Sequence, residues 1–204
     1  MRRVILLLTA MALSLLVASG VAMAVTKIGT NGPDTLRGTN EADNLLGRGG
    51  NDDLFALGGN DNLLGGPGRD NVLGGHEIGP DPSWGEKNLL GGPGNDLVNG
   101  GSGSDNIGGG EGHDLLIDSP FREPSKDNLV GGGGSDVIDV LSSPAVKDLV
   151  VCGDGFDRVL ADHKDVVAPD CERVFFGFAS TIKFYRSIPQ SFWDGQPPYP
   201  GHES

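Results

Sequence analysis

A nine-residue phrase recurs along this chain and constrains its fold more than any other feature. It reads G-G-x-G-x-D-x-U-x, where U is a large aliphatic residue, and its three clearest copies begin at Gly65, Gly91 and Gly100. The glycines allow positive backbone angles and a tight turn, so a loop of six residues precedes a strand of three. A period of nine is too short for a helical hairpin. The repeat therefore predicts a coil of very short parallel strands.

The register of the repeat extends well beyond the three clear copies. The repeat position recurs every nine residues from 34 to 70 and again from 87 to 114, with a large aliphatic residue two positions after each member. Extra residues enter at 76–84 and 120–124, in the loop half of a repeat, where added length costs little. Thirteen repeats are recognisable, and twelve have Asp at the sixth position. Disorder requires no register, so the repeat argues against the disordered class that 35 Gly and 13 Pro suggest.

The first 24 residues have the pattern of a secretory signal peptide. Arg2 and Arg3 precede an apolar run over 4–18, and Ala22-Met23-Ala24 is a small-x-small cleavage pattern. We therefore expect cleavage before Val25 and a secreted, extracellular protein with no membrane span. An uncleaved membrane anchor is the alternative, although the run is short for a span. The choice between the general and the twin-arginine export routes stays open.

Acidic residues dominate the charge of the chain. There are 28 acidic and 15 basic residues, which give a net charge of −13, or −15 once Arg2 and Arg3 are removed. Such a chain is a poor partner for nucleic acid or anionic membranes and a good one for multivalent cations. The sequence has neither the H-E-x-x-H motif of metalloproteases nor the G-x-S-x-G motif of hydrolases. We interpret the chain as non-enzymatic, with a secreted hydrolase as a minor alternative.

The repeat resembles the hemolysin-type calcium-binding repeat, also called the RTX nonapeptide repeat. The resemblance covers about residues 29–160. It implies an all-β fold, a parallel β-roll in which two consecutive repeats complete one turn and calcium lies between loops stacked on the same side. The usual members combine the repeats with a toxin, protease or lipase domain and a C-terminal export signal. Because this chain consists mostly of repeats behind an N-terminal signal, those activities do not transfer.

The resemblance also assigns the ligands. Calcium would bind carboxylate oxygens of the repeat aspartates and carbonyl oxygens of the glycine loops, in an adaptable geometry that suits Ca²⁺ better than Mg²⁺. Each column would contain every second repeat. One column contains Asp34, Asp52, Asp70, Asp96, Asp114, Asp136 and, at the end of the pattern, Asp157, and the other contains Asp43, Asp61, Lys87, Asp105, Asp127 and Asp148. The predicted metal ligands are Asp34, Asp43, Asp52, Asp61, Asp70, Asp96, Asp105, Asp114, Asp127 and Asp136.

Each repeat buries a single aliphatic side chain, while ordering a glycine-rich chain costs much conformational entropy. We therefore expect calcium binding and folding to be coupled. The chain would leave the calcium-poor cytosol unfolded and fold outside the cell, where the weak sites typical of extracellular calcium modules are filled.

Lys87 departs from the pattern, because an ammonium group replaces a carboxylate. We expect an empty or weakened calcium site there, with Glu77, Asp81 or Glu86 of the first insertion as substitute ligands. A tolerated change without consequence is the alternative.

Cys152 and Cys171 are the only cysteines. In a secreted chain an even number predicts a disulfide, and its place at the end of the repeats indicates a cap over the last turn. Metal ligation by the cysteines with His163 is the alternative. The predicted organisation is a signal peptide (1–24), a β-roll (25–160), a disulfide-stapled cap (161–189) with a strand-like segment at 174–185, and a disordered tail (190–204).

The best interpretation is a secreted protein whose loops bind several calcium ions. The alternative is a calcium-dependent adhesive or cell-surface module with an unknown surface or matrix partner. Apolar residues often follow the buried aliphatic position, and they would form such a surface unless the C-terminal segment covers them. These residues are Leu46, Phe55, Leu64, Leu73 and Leu90.

Overall fold

The computed structural model describes residues 23–75, 86–118 and 125–196. Most of the predicted signal peptide, both insertions and residues 197–204 of the predicted tail lie outside these ranges. In the described part of the chain, the sequence forms sixteen short strands followed by a 3-10 turn and two short helices.

The strands alternate between two parallel sheets of eight. The odd sheet consists of β1 (Thr26–Ile28), β3 (Asn44–Leu46), β5 (Asn62–Leu64), β7 (Asn88–Pro93), β9 (Asn106–Glu111), β11 (Asn128–Gly133), β13 (Leu149–Asp154) and β15 (Val166–Val167). The even sheet consists of β2 (Thr35–Arg37), β4 (Asp53–Phe55), β6 (Asn71–Leu73), β8 (Leu97–Asn99), β10 (Leu115–Ile117), β12 (Val137–Asp139), β14 (Arg158–Ala161) and β16 (Arg173–Phe176).

Each strand pairs with the strand two repeats away, in an unbroken register. Leu45 lies beside Leu63 on the odd sheet, and Leu63 lies beside Leu89, although the first insertion separates the second pair. The insertion therefore adds length to a loop without shifting the side chain that faces inward. The predicted all-β parallel β-roll with two repeats per turn is confirmed.

The core is a column of aliphatic side chains, one from the middle of nearly every strand. Successive residues of a strand point to opposite faces, so the U position faces the other sheet while its neighbours face outward. All of the column members are at most 9 % exposed. The column comprises Leu36, Leu45, Leu54, Leu63, Val72, Leu89, Val98, Ile107, Leu116, Leu129, Ile138, Val150 and Val159.

A disulfide joins Cys152 to Cys171, with their Cα atoms 5.2 Å apart. Cys152 is buried on β13 of the odd sheet, and Cys171 lies just before β16 of the even sheet and packs against the same core. The bond confirms the predicted disulfide and rules out the alternative in which both thiols bind a metal beside His163. It links the two sheets at the C-terminal end of the roll.

The C-terminal segment leaves the sheet earlier than its strand-like sequence predicts. Only β16 is extended, and Gly177, at φ 73°, ends it. A 3-10 turn (Phe178–Ser180), α1 (Thr181–Ser187) and α2 (Gln190–Gly195) follow. Phe184 and Phe192 are buried, so this part of the chain is held by packing. No helix among the described residues has the length and hydropathy needed to cross a bilayer.

The helices cover the C-terminal part of the even sheet and leave the odd sheet exposed. The even sheet has apolar residues on its outer face, and Val137 and Leu160 pack with Phe184 and Phe192 in one buried cluster. At the equivalent positions the odd sheet has asparagines, whose side chains hydrogen-bond from strand to strand. This exposed asparagine row consists of Asn44, Asn62, Asn88, Asn106 and Asn128.

Candidate metal sites

The residue that precedes each strand turns its side chain into the roll, at the corner where the loop becomes the strand. In most repeats this residue is the predicted ligand Asp, and its Oδ1 accepts a hydrogen bond from the backbone N–H of the corresponding residue one coil earlier. The N–H of Asp34 donates to Asp52 Oδ1 at 2.9 Å, and the N–H of Asp52 donates to Asp70 Oδ1 at 2.8 Å. The same bond connects Asp96 with Asp114 at 2.9 Å. The aspartates thus form two hydrogen-bonded columns, one along each sheet.

The columns contain the residues that the sequence predicts. Asp34, Asp52, Asp70, Asp96, Asp114, Asp136 and Asp157 lie along the even sheet. Asp43, Asp61, Lys87, Asp105, Asp127 and Asp148 lie along the odd sheet. Each residue is brought next to its partners two repeats away, because these partners occupy neighbouring strands of one sheet.

Two residues that the sequence interpretation missed extend the columns. The N–H of Asp148 donates to Asp165 Oδ1 at 3.1 Å, and the N–H of Asp157 donates to Glu172 Oε2 at 2.8 Å. Both residues precede an aliphatic residue by two positions, Val167 and Val174. A short signal therefore survives, an acidic residue two positions before an aliphatic one, but the glycines that make the repeat recognisable are absent from these last turns.

The second carboxylate oxygen distinguishes two kinds of column member. In one kind it has a hydroxyl donor: Asp34 Oδ2 accepts from Thr30 Oγ1 at 2.9 Å, Asp43 Oδ2 from Thr39 Oγ1 at 3.0 Å, and Asp127 Oδ2 from Ser125 Oγ at 3.2 Å. In the other kind, Oδ2 is buried and has no hydrogen-bond donor among the described residues. These residues are Asp52, Asp70, Asp96, Asp105, Asp114, Asp136, Asp148 and Asp157.

Glycine at the first position of the repeat makes room for this second oxygen. A Cβ on Gly65 would lie 2.5 Å from Asp70 Oδ2 and 2.7 Å from the carbonyl oxygen of Gly91 on the next coil. A Cβ on Gly131 would lie 2.5 Å from Asp136 Oδ2 and 2.5 Å from the carbonyl oxygen of Cys152. A carboxylate oxygen and a carbonyl oxygen of the next coil therefore approach the same point beside the glycine. Both are hard oxygen donors of the kind that Ca²⁺ binds.

Burial makes the ionised form of these carboxylates costly. It raises the pKa of Asp96 and of Asp114 to about 8, and that of Asp136 to about 7, because desolvation outweighs the backbone hydrogen bonds that favour the charged form. The same cause raises the pKa of Asp70 to about 6 and that of Asp148 to about 7. A column of buried carboxylates near neutral pH must either take up protons or gain cations.

The aspartates supply only part of a coordination shell. Among the described residues, no three Asp, Glu, His or Cys side chains come together as a metal-binding group. A calcium ion in the loops would therefore take most of its oxygens from the backbone. The loops offer such oxygens in columns: Gly94, at φ 148°, faces the carbonyl of Gly68, and Gly112, at φ 142°, faces the carbonyl of Gly94. The donor set of one carboxylate per repeat and stacked carbonyls thus fits a calcium ion.

Lys87 keeps its place in the odd column, and its side chain is 1 % exposed. Two of the proposed substitute ligands, Glu77 and Asp81, lie outside the described residues. Glu86, the third, is exposed.

Two parallel sheets wound from loop-and-strand repeats, with an aspartate at the end of most loops, define the chain as a β-roll protein. The RTX calcium-binding nonapeptide repeat matches it in four copies, at residues 28–63, 49–76, 88–116 and 125–140. The chain therefore belongs to the RTX calcium-binding repeat family. No curated protein and no solved structure matched the chain.

Proposed function

We propose that the protein is a secreted calcium binder whose loop aspartates bind several Ca²⁺ ions and whose β-roll depends on those ions. The observation that supports this most directly is the set of buried Oδ2 atoms without a hydrogen-bond donor. An unpaired buried carboxylate is strongly destabilising. A divalent cation between adjacent loops would remove that penalty wherever such an oxygen lies.

The expected ligands follow from the two kinds of aspartate. Asp52, Asp70, Asp96, Asp105, Asp114 and Asp136 have an oxygen available for a metal, whereas the hydroxyl groups beside Asp34, Asp43 and Asp127 already satisfy theirs. We expect the strongest sites in the middle of the roll and weaker ones at its N-terminal end. Asp148 and Asp157 extend the candidate sites past the ten aspartates predicted from sequence.

Coupling of binding to folding follows from the same carboxylates. Without cations, each column places ionisable groups on successive strands about 4.8 Å apart, and burial opposes their charge. The unfolded chain exposes the same groups to water and avoids this cost. Calcium should therefore favour the folded state by mass action. A chain exported unfolded would then fold when it reaches a calcium-rich medium.

The test is a calcium titration of the purified chain, with far-UV circular dichroism and equilibrium dialysis against ⁴⁵Ca. We expect saturable binding of several ions and a cooperative gain of β-structure, with no comparable gain in Mg²⁺. A chain that binds no calcium, or that has the same β-content in calcium and in EDTA, would contradict the proposal.

A calcium-dependent surface module is the second candidate, and the exposed outer face of the odd sheet favours it. Ile28, Leu64, Leu90 and Val130 are exposed there, at 37–55 % of their surface, beside the asparagine row. Binding to cell-envelope fractions in calcium, lost in a Leu64→Asn/Leu90→Asn double variant that still binds calcium, would support this candidate.

A further inference from the structure

Lys87 is the one fully buried basic side chain among the described residues, and it lies in a column of carboxylates. Its backbone follows the pattern of every other column member. The N–H of Lys87 donates to Asp105 Oδ1 at 2.9 Å, and its carbonyl accepts from the N–H of Asn106 at 2.8 Å. The N–H of Asn88 donates to the carbonyl of Asp61 at 2.8 Å. Lys87 therefore differs from the other column members only in the chemical group that its side chain brings into the loop.

The stem of Lys87 occupies the space that a carboxylate takes in other repeats. A Cβ on Gly74 would lie 3.0 Å from Lys87 Cδ. In the preceding repeat, a Cβ on the corresponding glycine, Gly65, would lie 2.5 Å from Asp70 Oδ2. From this point the side chain reaches past the carboxylate position. Nζ donates to the carbonyl oxygen of Ser102 at 2.8 Å, and Ser102 is the third residue of the loop that leads to Asp105.

The ammonium group thus lies where the proposed function places a metal ion. Like that ion, it contacts a loop carbonyl and lies close to acidic residues. Its positive charge acts on the carboxylates of the following coils: burial raises the pKa of Asp105 to about 7 and that of Asp127 to about 6, and Lys87 opposes both rises.

We propose that Lys87 is a built-in cation that replaces a calcium ion at one position of the odd column, between the loops of Asp61 and Asp105. This inference rests on the proposed function, because it takes the neighbouring positions to bind calcium. The coil around Lys87 then needs no metal at that position. It forms a segment in the middle of the roll that is less dependent on calcium than the coils on either side.

The substitution Lys87→Asp tests the proposal, with Lys87→Met as the matched control. Lys87→Asp restores the repeat, so equilibrium dialysis should find one more calcium ion per chain than in the wild type. Lys87→Met removes the charge but keeps most of the volume, so it should bind no additional ion, and its folding midpoint should move to higher calcium concentration. An unchanged stoichiometry in a Lys87→Asp variant that folds in saturating calcium would overturn the proposal.

Chemical acetylation of the wild-type chain gives a second measurement that does not depend on whether the variants fold. In saturating calcium, Lys87 should resist acetylation while the exposed Lys183 reacts, as read by mass spectrometry. Equal reactivity of Lys87 and Lys183 in the folded chain would mean that the ammonium lies outside the loop, and the proposal would fail. A wild-type chain that binds no calcium would instead remove the proposed function, so the two failures are distinct.

Discussion

The backbone N–H of Asp52 donates a 2.8 Å hydrogen bond to Oδ1 of Asp70, eighteen residues later in the chain and one coil further along the roll. The bond fixes one oxygen of Asp70 and directs the other, which has no donor among the described residues, into the loop. A single arrangement, repeated along each sheet, thus holds the roll in register and presents a buried oxygen to a cation. Stability and metal binding therefore depend on the same carboxylates.

Asp114→Asn should separate these two roles. Asn retains an oxygen that can accept the hydrogen bond from the N–H of Asp96, but it has no charge. We expect at least one calcium ion fewer per chain in equilibrium dialysis, and no loss of stability in calcium-free buffer, because the variant no longer buries a carboxyl group whose ionised form is costly. Asp194→Asn, at an exposed position on α2, is the control and should bind as the wild type does. Unchanged calcium binding by the Asp114 variant would show that this carboxylate is not a ligand.

The metal-free chain should become more stable as the pH falls. The pKa values of Asp96 and Asp114 are about 8 in the folded chain and near 3.8 when exposed. Between these values the folded state holds more protons than the unfolded state, so the free energy of unfolding decreases as the pH rises through this window. Urea titrations in calcium-depleted buffer at about pH 5 and about pH 8 measure the effect.

Calcium should reverse this dependence, because protons compete with the metal for the same oxygens. In saturating calcium we expect the roll to lose stability on acidification through the same window. A metal-free chain that is less stable at the lower pH would contradict the assignment of raised pKa values to the columns.

Gly110→Ala should destabilise the roll. Gly110 has φ 121°, and a Cβ there would overlap the carbonyl oxygen of Gly92 on the preceding coil. We expect a loss of about 1–3 kcal/mol from the backbone conformation alone, measured as a shift in the urea midpoint in saturating calcium. Gly49→Ala is the matched control, since its Cβ would lie 3.7 Å from the nearest atom, the carbonyl oxygen of Pro67. Equal effects of the two substitutions would argue against tight stacking of the loops.

Phe184→Ala should loosen the helices from the even sheet. Phe184 is fully buried on α1 and packs in a cluster with Val137 and Leu160, so its truncation should cost about 3–5 kcal/mol where the cavity does not collapse. Ile182→Ala, on the same helix and 66 % exposed, should change stability by less than about 0.5 kcal/mol. Limited proteolysis after residue 177 compares the two, and similar cleavage of both would contradict the packing.

Much of the site was predictable because the aspartates recur at a regular spacing along the chain. The resemblance to the RTX family implies two repeats per turn, which places Asp52 beside Asp34 and Asp70, and the D-x-U pattern assigns the inward side chain. The last members, Asp165 and Glu172, were missed because their turns lack glycine. The hydroxyl partners of Asp34, Asp43 and Asp127 follow from loop conformation, which the period does not specify. The predicted signal peptide and the two insertions stay predictions, since they lie almost wholly outside the described residues.

The sequence by itself determined that this chain winds into a coil of short parallel strands, because its nine-residue period is too short for a helical hairpin, and the resemblance of the repeat to the RTX family implied two repeats per turn with an aspartate column along each sheet. Only the tertiary structure decided which face the C-terminal segment covers and where the Lys87 ammonium lies. Both depend on neighbours far away in the sequence: Phe184 packs against strands that begin up to 47 residues earlier, at Val137, and Lys87 reaches a carbonyl on the following coil. A local repeat fixes how each coil is made, whereas packing between distant segments fixes what its side chains contact.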